Sequence, residues 1–114
     1  MAQFEFVQWL ADWFLTETEF LFDWDQGNQM KSFVKHGISV ESSEEALRNR
    51  SELEVLGIQV SPASSETRFG VFGVDDAGVR LFICFTLREN YIRVISSREM
   101  NSVERKKYEA LRKK

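Results

Sequence analysis

Near the start of the chain, apolar side chains recur every three or four residues: Phe4, Val7, Trp9, Leu10, Trp13 and Phe14. That spacing predicts a helix of about three turns over residues 4–15, with one broad apolar face that has to pack on something. Glu19 to Trp24 is short and aromatic and reads as a strand. From Gln26 to His36, Met30, Phe33 and Val34 share one helical side. Gly37 then stops the helix, because glycine tolerates the left-handed conformation past a helix end and the pair Lys35-His36 suits the last turn. Ser39 or Ser42 supplies the cap of a second helix over roughly 41–49.

Further along, the period changes to two. Residues 53–60 are β-like, and Ser61 to Ser65, with Pro62 inside, is a loop rich in turn formers. Residues 68–74 and 79–88 flank Asp75-Asp76-Ala77-Gly78, a turn sequence suited to a hairpin with Gly78 at positive φ. Val79, Leu81, Ile83, Phe85 and Leu87 alternate with Arg80, Phe82, Cys84, Thr86 and Arg88, as a strand requires. Arg88-Glu89-Asn90 turns the chain into a further strand over residues 91–98. Asn101 and Glu104 have the spacing of a capping box before a last helix with a narrow stripe of Val103, Tyr108 and Leu111. The predicted order is an extra N-terminal helix followed by βααββββα: an α+β fold with an antiparallel sheet of about four strands, two helices before it and one after. With no internal repeat and no long linker, residues 19–114 are expected to form one domain and residues 1–18 an acidic, aromatic helical extension.

Composition narrows this picture without changing it. A chain of 114 residues that is 43% hydrophobic has enough apolar surface for one core, so most of it is expected to be folded. The lone cysteine, Cys84, precludes an internal disulfide and, between Ile83 and Phe85, reads as core; one histidine leaves no Cys/His cluster, so neither a structural zinc nor another cofactor is expected. The most apolar run, Phe4 to Leu15, is broken by Glu5, Gln8 and Asp12 and is shorter than the about 20 residues of a membrane span, so a cytoplasmic protein is expected. The net charge of −3 hides a gradient: −6 over residues 1–25, −2 over 26–85 and +5 over 86–114. The basic end is the expected phosphate contact, against the alternative of ordinary solvated charge.

Two ordered blocks of residues carry a resemblance. The first is Phe22-Asp23-Trp24-Asp25, then Lys31, then Lys35-His36-Gly37-Ile38-Ser39. The second is Glu66 and Arg68, Gly73, Arg80, Phe85-Thr86, Ile92-Arg93-Val94-Ile95-Ser96-Ser97-Arg98, and Glu104-Arg105 with Tyr108. Their order and spacing over residues 20–109 resemble the BrnT toxin family. Ser32 stands where that family usually has Asn, Ser97 where it has Ala, and residues 1–18 precede the usual family start. The resemblance implies a RelE-like fold, an RNA-cleaving activity that stops translation, and neutralisation by a BrnA-like antitoxin in a type II toxin–antitoxin pair.

Metal-free RNA cleavage, which the resemblance implies, uses the 2′-hydroxyl as nucleophile. It needs one group to take the 2′ proton, one to protonate the leaving 5′ oxygen, and cations to stabilise the phosphorane. Arg68, Arg93 and Arg98 match family positions, and a planar guanidinium holds two phosphate oxygens at once. His36 is the proton-transfer candidate, since histidine is the residue type that titrates near neutrality, and Lys35 beside it is a phosphate contact; both are also explained as plain helix-end residues. Lys31, Arg80 and Arg88 are further RNA-binding candidates. In a regular strand Arg93 and Arg98 point to opposite faces because their offset is odd, unless a bulge intervenes. Tyr108 is a possible proton donor or a core anchor; of Glu66 and Glu104 as bases, Glu104 is better explained as the helix cap. The alternative function is a catalytically degenerate binding module on the same fold, favoured by the pI of about 5.2. The front helix is either an extra core helix or a docking element, through Trp9, Trp13 and Phe14, for the chain itself or a partner.

Overall fold

The computed structural model describes residues 3–17, 21–61, 66–89 and 91–113, without the side chains of residues 30–32, 34 and 61. The first residues of the strand expected over 19–24, the loop expected at Pro62 to Ser65, the turn residue Asn90, and the side chains of Met30, Lys31, Ser32 and Val34 lie outside the described residues. Six strands form one sheet: β1 (Gln3–Glu5), β2 (Leu21–Phe22), β3 (Glu54–Ser61), β4 (Phe69–Val74), β5 (Arg80–Arg88) and β6 (Tyr91–Glu99), in the spatial order β1-β3-β4-β5-β6-β2. Among the described residues four α-helices accompany it: α1 (Gln8–Thr16), α2 (Gln26–His36), α3 (Val40–Arg48) and α4 (Ser102–Arg112).

The α+β class and the helices over residues 26–36, 40–48 and 102–112 match expectation, and the strand count does not. Two short edge strands raise the sheet from about four strands to six, and one breaks the antiparallel rule, because β2 runs parallel to β6 with Leu21 opposite Tyr91. The expected helix over residues 4–15 is corrected too. Phe4 lies in β1, opposite Gln59 of β3, and the helix starts only at Gln8. An open β3 edge offers a ladder of unpaired backbone groups, and pairing with it satisfies donors that the first turn of a helix leaves orphaned. Room for this strand comes from Gly57, at φ 117°, where a Cβ would collide with the Glu5 carbonyl. Phe4 itself lies over Gly70, where a Cβ would come within 2.6 Å of its ring.

One face of the sheet carries the larger core. Leu10 and Phe14 of α1, Ala46 and Leu47 of α3, and Phe69, Val71, Leu81, Ile83, Phe85, Ile92 and Val94 of the strands are all buried there. The aromatic rings meet edge to face, Trp9 on Phe69 at 5.4 Å and Phe14 on Phe85 at 5.9 Å. Half of the opposite face is covered by α4, whose Tyr108 packs with Leu56, Phe72, Phe82 and Met100. Local signals work as expected at three points: Ser39 Oγ accepts from Ser42 N, Gly78 turns the β4–β5 hairpin at φ 87°, and Asn101 and Glu104 make a reciprocal capping box.

Candidate functional site

Directly opposed residues on neighbouring strands share a face. On β5, the residues turned away from the larger core are Phe82, Cys84, Thr86 and Arg88, and their partners on β6 are Arg98, Ser96, Arg93 and Tyr91. Cys84 pairs with Ser96 while Phe85 pairs with Val94, so Ile95 is an extra residue in β6, a β-bulge. This extra residue cancels the odd offset and puts Arg93 and Arg98 on the same face, separated by four β5 residues, or roughly 13 Å. Arg68, just before Phe69 of β4, turns to that face as well, and its charge acts on the Cys84 thiol. Beyond the edge of α4, then, this face carries Arg68, Cys84, Ser96 and Arg93, each partly exposed, and Thr86, which is buried.

Each arginine has different company. Arg93 Nη2 donates to Asp25 Oδ2 at 2.6 Å and Nη1 lies 3.5 Å from Asp23 Oδ2. Hydrogen bonding from the Asn28 amide, reinforced by Arg93, holds the Asp25 carboxyl below its ordinary value, and Asp25 in turn raises Arg93. Arg98 grips Glu104 with both terminal nitrogens and lies over the Phe82 ring at 4.8 Å. Burial alone would raise the Glu104 carboxyl; Arg98 and the Asn101 amide outweigh it and set it low. Arg88 pairs with Glu66 at 3.1 Å, and Arg80, at the far end of β5, with Glu109 of α4 at 2.8 Å. Arg68 has no ion pair among the described residues, and its Nε is buried without a hydrogen-bond partner, as is the Thr86 hydroxyl.

Lys35 and His36 are exposed at the C-terminal end of α2, without a hydrogen bond or ion pair to another described residue. The opposite end of α2, at Asp25, is the one that touches Arg93, which leaves His36 roughly 16 Å further along the helix axis. The structure therefore collects Arg68, Arg93 and Arg98 on one face and does not bring Lys35 or His36 to them; the Lys31 side chain lies outside the described residues. Tyr108 is an anchor, 6% exposed, donating to the Glu52 carbonyl at 2.6 Å, with burial pushing its hydroxyl up. Cys84 is half-buried, and desolvation raises its thiol.

Three contributors were not singled out by sequence reasoning as site residues. Asp23 and Asp25 were visible only as part of a motif, and Asn28 was not marked at all. The signal was there, because Asp25 and Asn28 stand three apart at the start of a helix: Asn28 N donates to Asp25 Oδ1 at 3.0 Å and Asp25 N to Asn28 Oδ1 at 2.7 Å. Around them lies a cleft of about 530 Å³ lined by Asp25, Gln26, Gly27, Asn28, Arg93, Val94 and Ile95.

Fold and site together define a small α+β protein with a single sheet, one face of which is half covered by a helix and half lined by arginines. Residues 24–104 match the family described as the ribonuclease toxin BrnT of type II toxin–antitoxin systems, and the chain belongs to that family. The 1.1 Å crystal structure of the Brucella abortus ribonuclease toxin BrnT is similar in fold: TM-score 0.52 at 18% identity, covering 74% of this chain and 100% of that one. Comparison with curated proteins finds no match. A toxin of a toxin–antitoxin family has an antitoxin for a partner. No described helix is long and apolar enough to cross a membrane.

Proposed function

We propose that the chain cleaves RNA without a metal, on the open face that carries Arg68 and Arg93. The 2′-hydroxyl attacks the adjacent phosphorus, its proton passes to a base, the bond to the 5′ oxygen breaks as that oxygen takes a proton from a solvent water, and a 2′,3′-cyclic phosphate and a free 5′-hydroxyl result. The observation that carries this reading is the Ile95 bulge, which turns Arg93 to the face shared by Arg68 and Arg98. Arg93 exchanges Asp25 for a phosphate oxygen, and Arg68, free of ion pairs among the described residues, stabilises the phosphorane beside it. Asp25, released by that exchange, is positioned to take the 2′ proton. Arg98 flanks the site. Lys35 and His36 contact RNA that continues along α2, Lys31 lies on the same helix, and Arg88 and Arg80 add phosphate contacts at the two ends of β5. The fold is of the RelE type, the target is messenger RNA in the cytoplasm, and the neutralising partner is a BrnA-like antitoxin.

A second reading, a binding module without catalysis, is favoured by one observation: Arg88, Arg93 and Arg98 are all engaged by carboxylates. The two separate in one assay. A mixed-sequence single-stranded RNA is incubated with clean protein in chelator, and product ends are read by mass spectrometry. Cyclic phosphate ends, lost by roughly a hundredfold or more in Arg93→Ala and Arg68→Ala, support cleavage on this face. Intact RNA with the wild type would leave the binding module as the better reading.

A further inference from the structure

We propose that Asn28 is a positioning residue for Arg93, its amide tying the end of β2, the start of α2 and the bulged β6 into one unit. This rests on the reading of the Arg68–Arg93 face as the RNA-cleaving surface.

Asn28 is 9% exposed. Both of its amide protons are used, donated from Nδ2 to the carbonyls of Asp23 at 2.9 Å and Val94 at 3.2 Å, while Oδ1 accepts from Asp25 N. No proton is left for an RNA, so the residue works through its neighbours. Two routes meet at Arg93. The first is the backbone. Among the described residues β2 pairs with β6 at Tyr91 and Ile92, and Asp23 N donates to the Ile92 carbonyl at 2.9 Å; beyond that point β2 leaves the edge. The next outward carbonyl is that of Val94, the residue just before the bulge, and Asn28 supplies its donor. The second route is the side chain. Asn28 N holds Asp25 Oδ1, which leaves Oδ2 directed at Arg93 Nη2.

A strand slips register where nothing pins it, and a slip of one residue moves each side chain to the other face. At the Ile95 bulge that slip would carry Arg93 from the open face toward the larger core. The Asn28 amide, bound to three separate elements, has a single orientation that satisfies all of them and so fixes the bulge in place.

Asn28→Asp keeps the size and the acceptor but removes both donors; Asn28→Ala removes the side-chain links altogether. Asn49→Ala is the control, since Asn49 Nδ2 makes a similar pair of bonds, to the Val74 carbonyl and Asp76 Oδ1, away from this cleft. Three quantities are measured: kcat and KM on a fluorogenic mixed-sequence RNA, amide hydrogen exchange at Ile95 and Ser96, and the Arg93 Nε–H resonance. Both Asn28 variants are expected to lower kcat roughly tenfold to a hundredfold with KM within about threefold of wild type. Exchange at Ile95 and Ser96 rises and the Arg93 resonance moves, whereas Asn49→Ala, compared at equal loss of melting temperature, keeps the wild-type kcat. Equal kcat loss in Asn49→Ala, unchanged kcat and exchange in both Asn28 variants, or failure of both to fold would overturn the proposal. If wild type leaves RNA intact, the cleavage reading fails by itself, and exchange and resonance still decide whether Asn28 holds Arg93.

Discussion

Arg98 meets both carboxylate oxygens of Glu104, at 2.7 and 2.8 Å, although the two residues come from different elements, the end of β6 and the first turn of α4. Glu104 is wholly buried, whereas the Arg98 side chain is 31% exposed and lies over Phe82. Arg98→Ala strands a buried charge and is expected to cost about 3 kcal/mol. Arg98→Lys recovers only part of that, because an ammonium does not bond both oxygens in a planar fork. Urea unfolding measures both, and wild-type stability in Arg98→Ala would contradict the arrangement.

The same pair sets a response to acid. Glu104 has a lowered folded pKa, so the unfolded chain binds protons first as pH falls. Its contribution is present in full above the ordinary value of 4.5 and is lost below it, as pH drops through the folded pKa. Melting temperature recorded against pH is therefore expected to fall less steeply below 4.5 in Glu104→Gln, from a lower starting stability, than in wild type.

Gly57 and Gly78 both have positive φ, yet their surroundings differ. A Cβ at Gly78 meets open space, and Gly78→Ala costs only the backbone strain, about 1 kcal/mol. At Gly57 the Glu5 backbone stands in the way as well, and Gly57→Ala is expected to cost more than 2 kcal/mol and to unpair β1. Faster amide exchange at Ile58, absent in Gly78→Ala, identifies the lost pairing.

Leu10 and Phe14 are 0% and 3% exposed and belong to the core shared with β4, β5 and β6. Leu10→Ala and Phe14→Ala are each expected to destabilise by roughly 2–5 kcal/mol. Removing residues 2–18 then abolishes cooperative unfolding; a soluble, cooperatively folding truncation with raised RNA cleavage would instead mark the segment as a removable cover.

Arg88 is 55% exposed beside the open face. If it meets a phosphate, Arg88→Ala weakens RNA binding for every sequence alike and lowers the slope of log affinity against log salt by about 1. An unchanged slope would assign Arg88 to its carboxylate partners, Glu66 and Asp23, alone.

Features encoded within a few residues were legible in the sequence: Gly37 and Gly78 at their turns, Ser39 at its cap, and Asn101 with Glu104. What pairing partners decide was not. β1 is three residues long, and Phe4 happens to sit at a helical spacing from Val7, so nothing local separates strand from helix until β3 provides an edge. β2 and β6 both read as strands, but nothing local in either says that they pair in parallel. The bulge was the decisive gap: Arg93 and Arg98 are easy to nominate, and their odd offset is plain, but the extra residue follows from pairing Cys84 with Ser96 and Phe85 with Val94. Arg98 and Glu104 were each noticed, one as a phosphate ligand and one as a cap, and only folding shows that they belong to each other.

The seat of Phe4 also bears on how the chain is made. Phe4 leaves the ribosome before Gly57, which makes room for the Glu5 backbone, and Gly70, which lies under the Phe4 ring, and at ordinary synthesis rates the interval is roughly 3 to 13 s. Through that interval Phe4, Phe6, Trp9, Trp13 and Phe14 have no sheet to cover, and no base among residues 1–25 offsets the six acids there. Like charge on neighbouring nascent chains keeps these aromatic segments apart until the sheet arrives. Two of those acids, Asp23 and Asp25, hold Arg93 once the chain has folded; the others belong to a segment translated long before its docking surface.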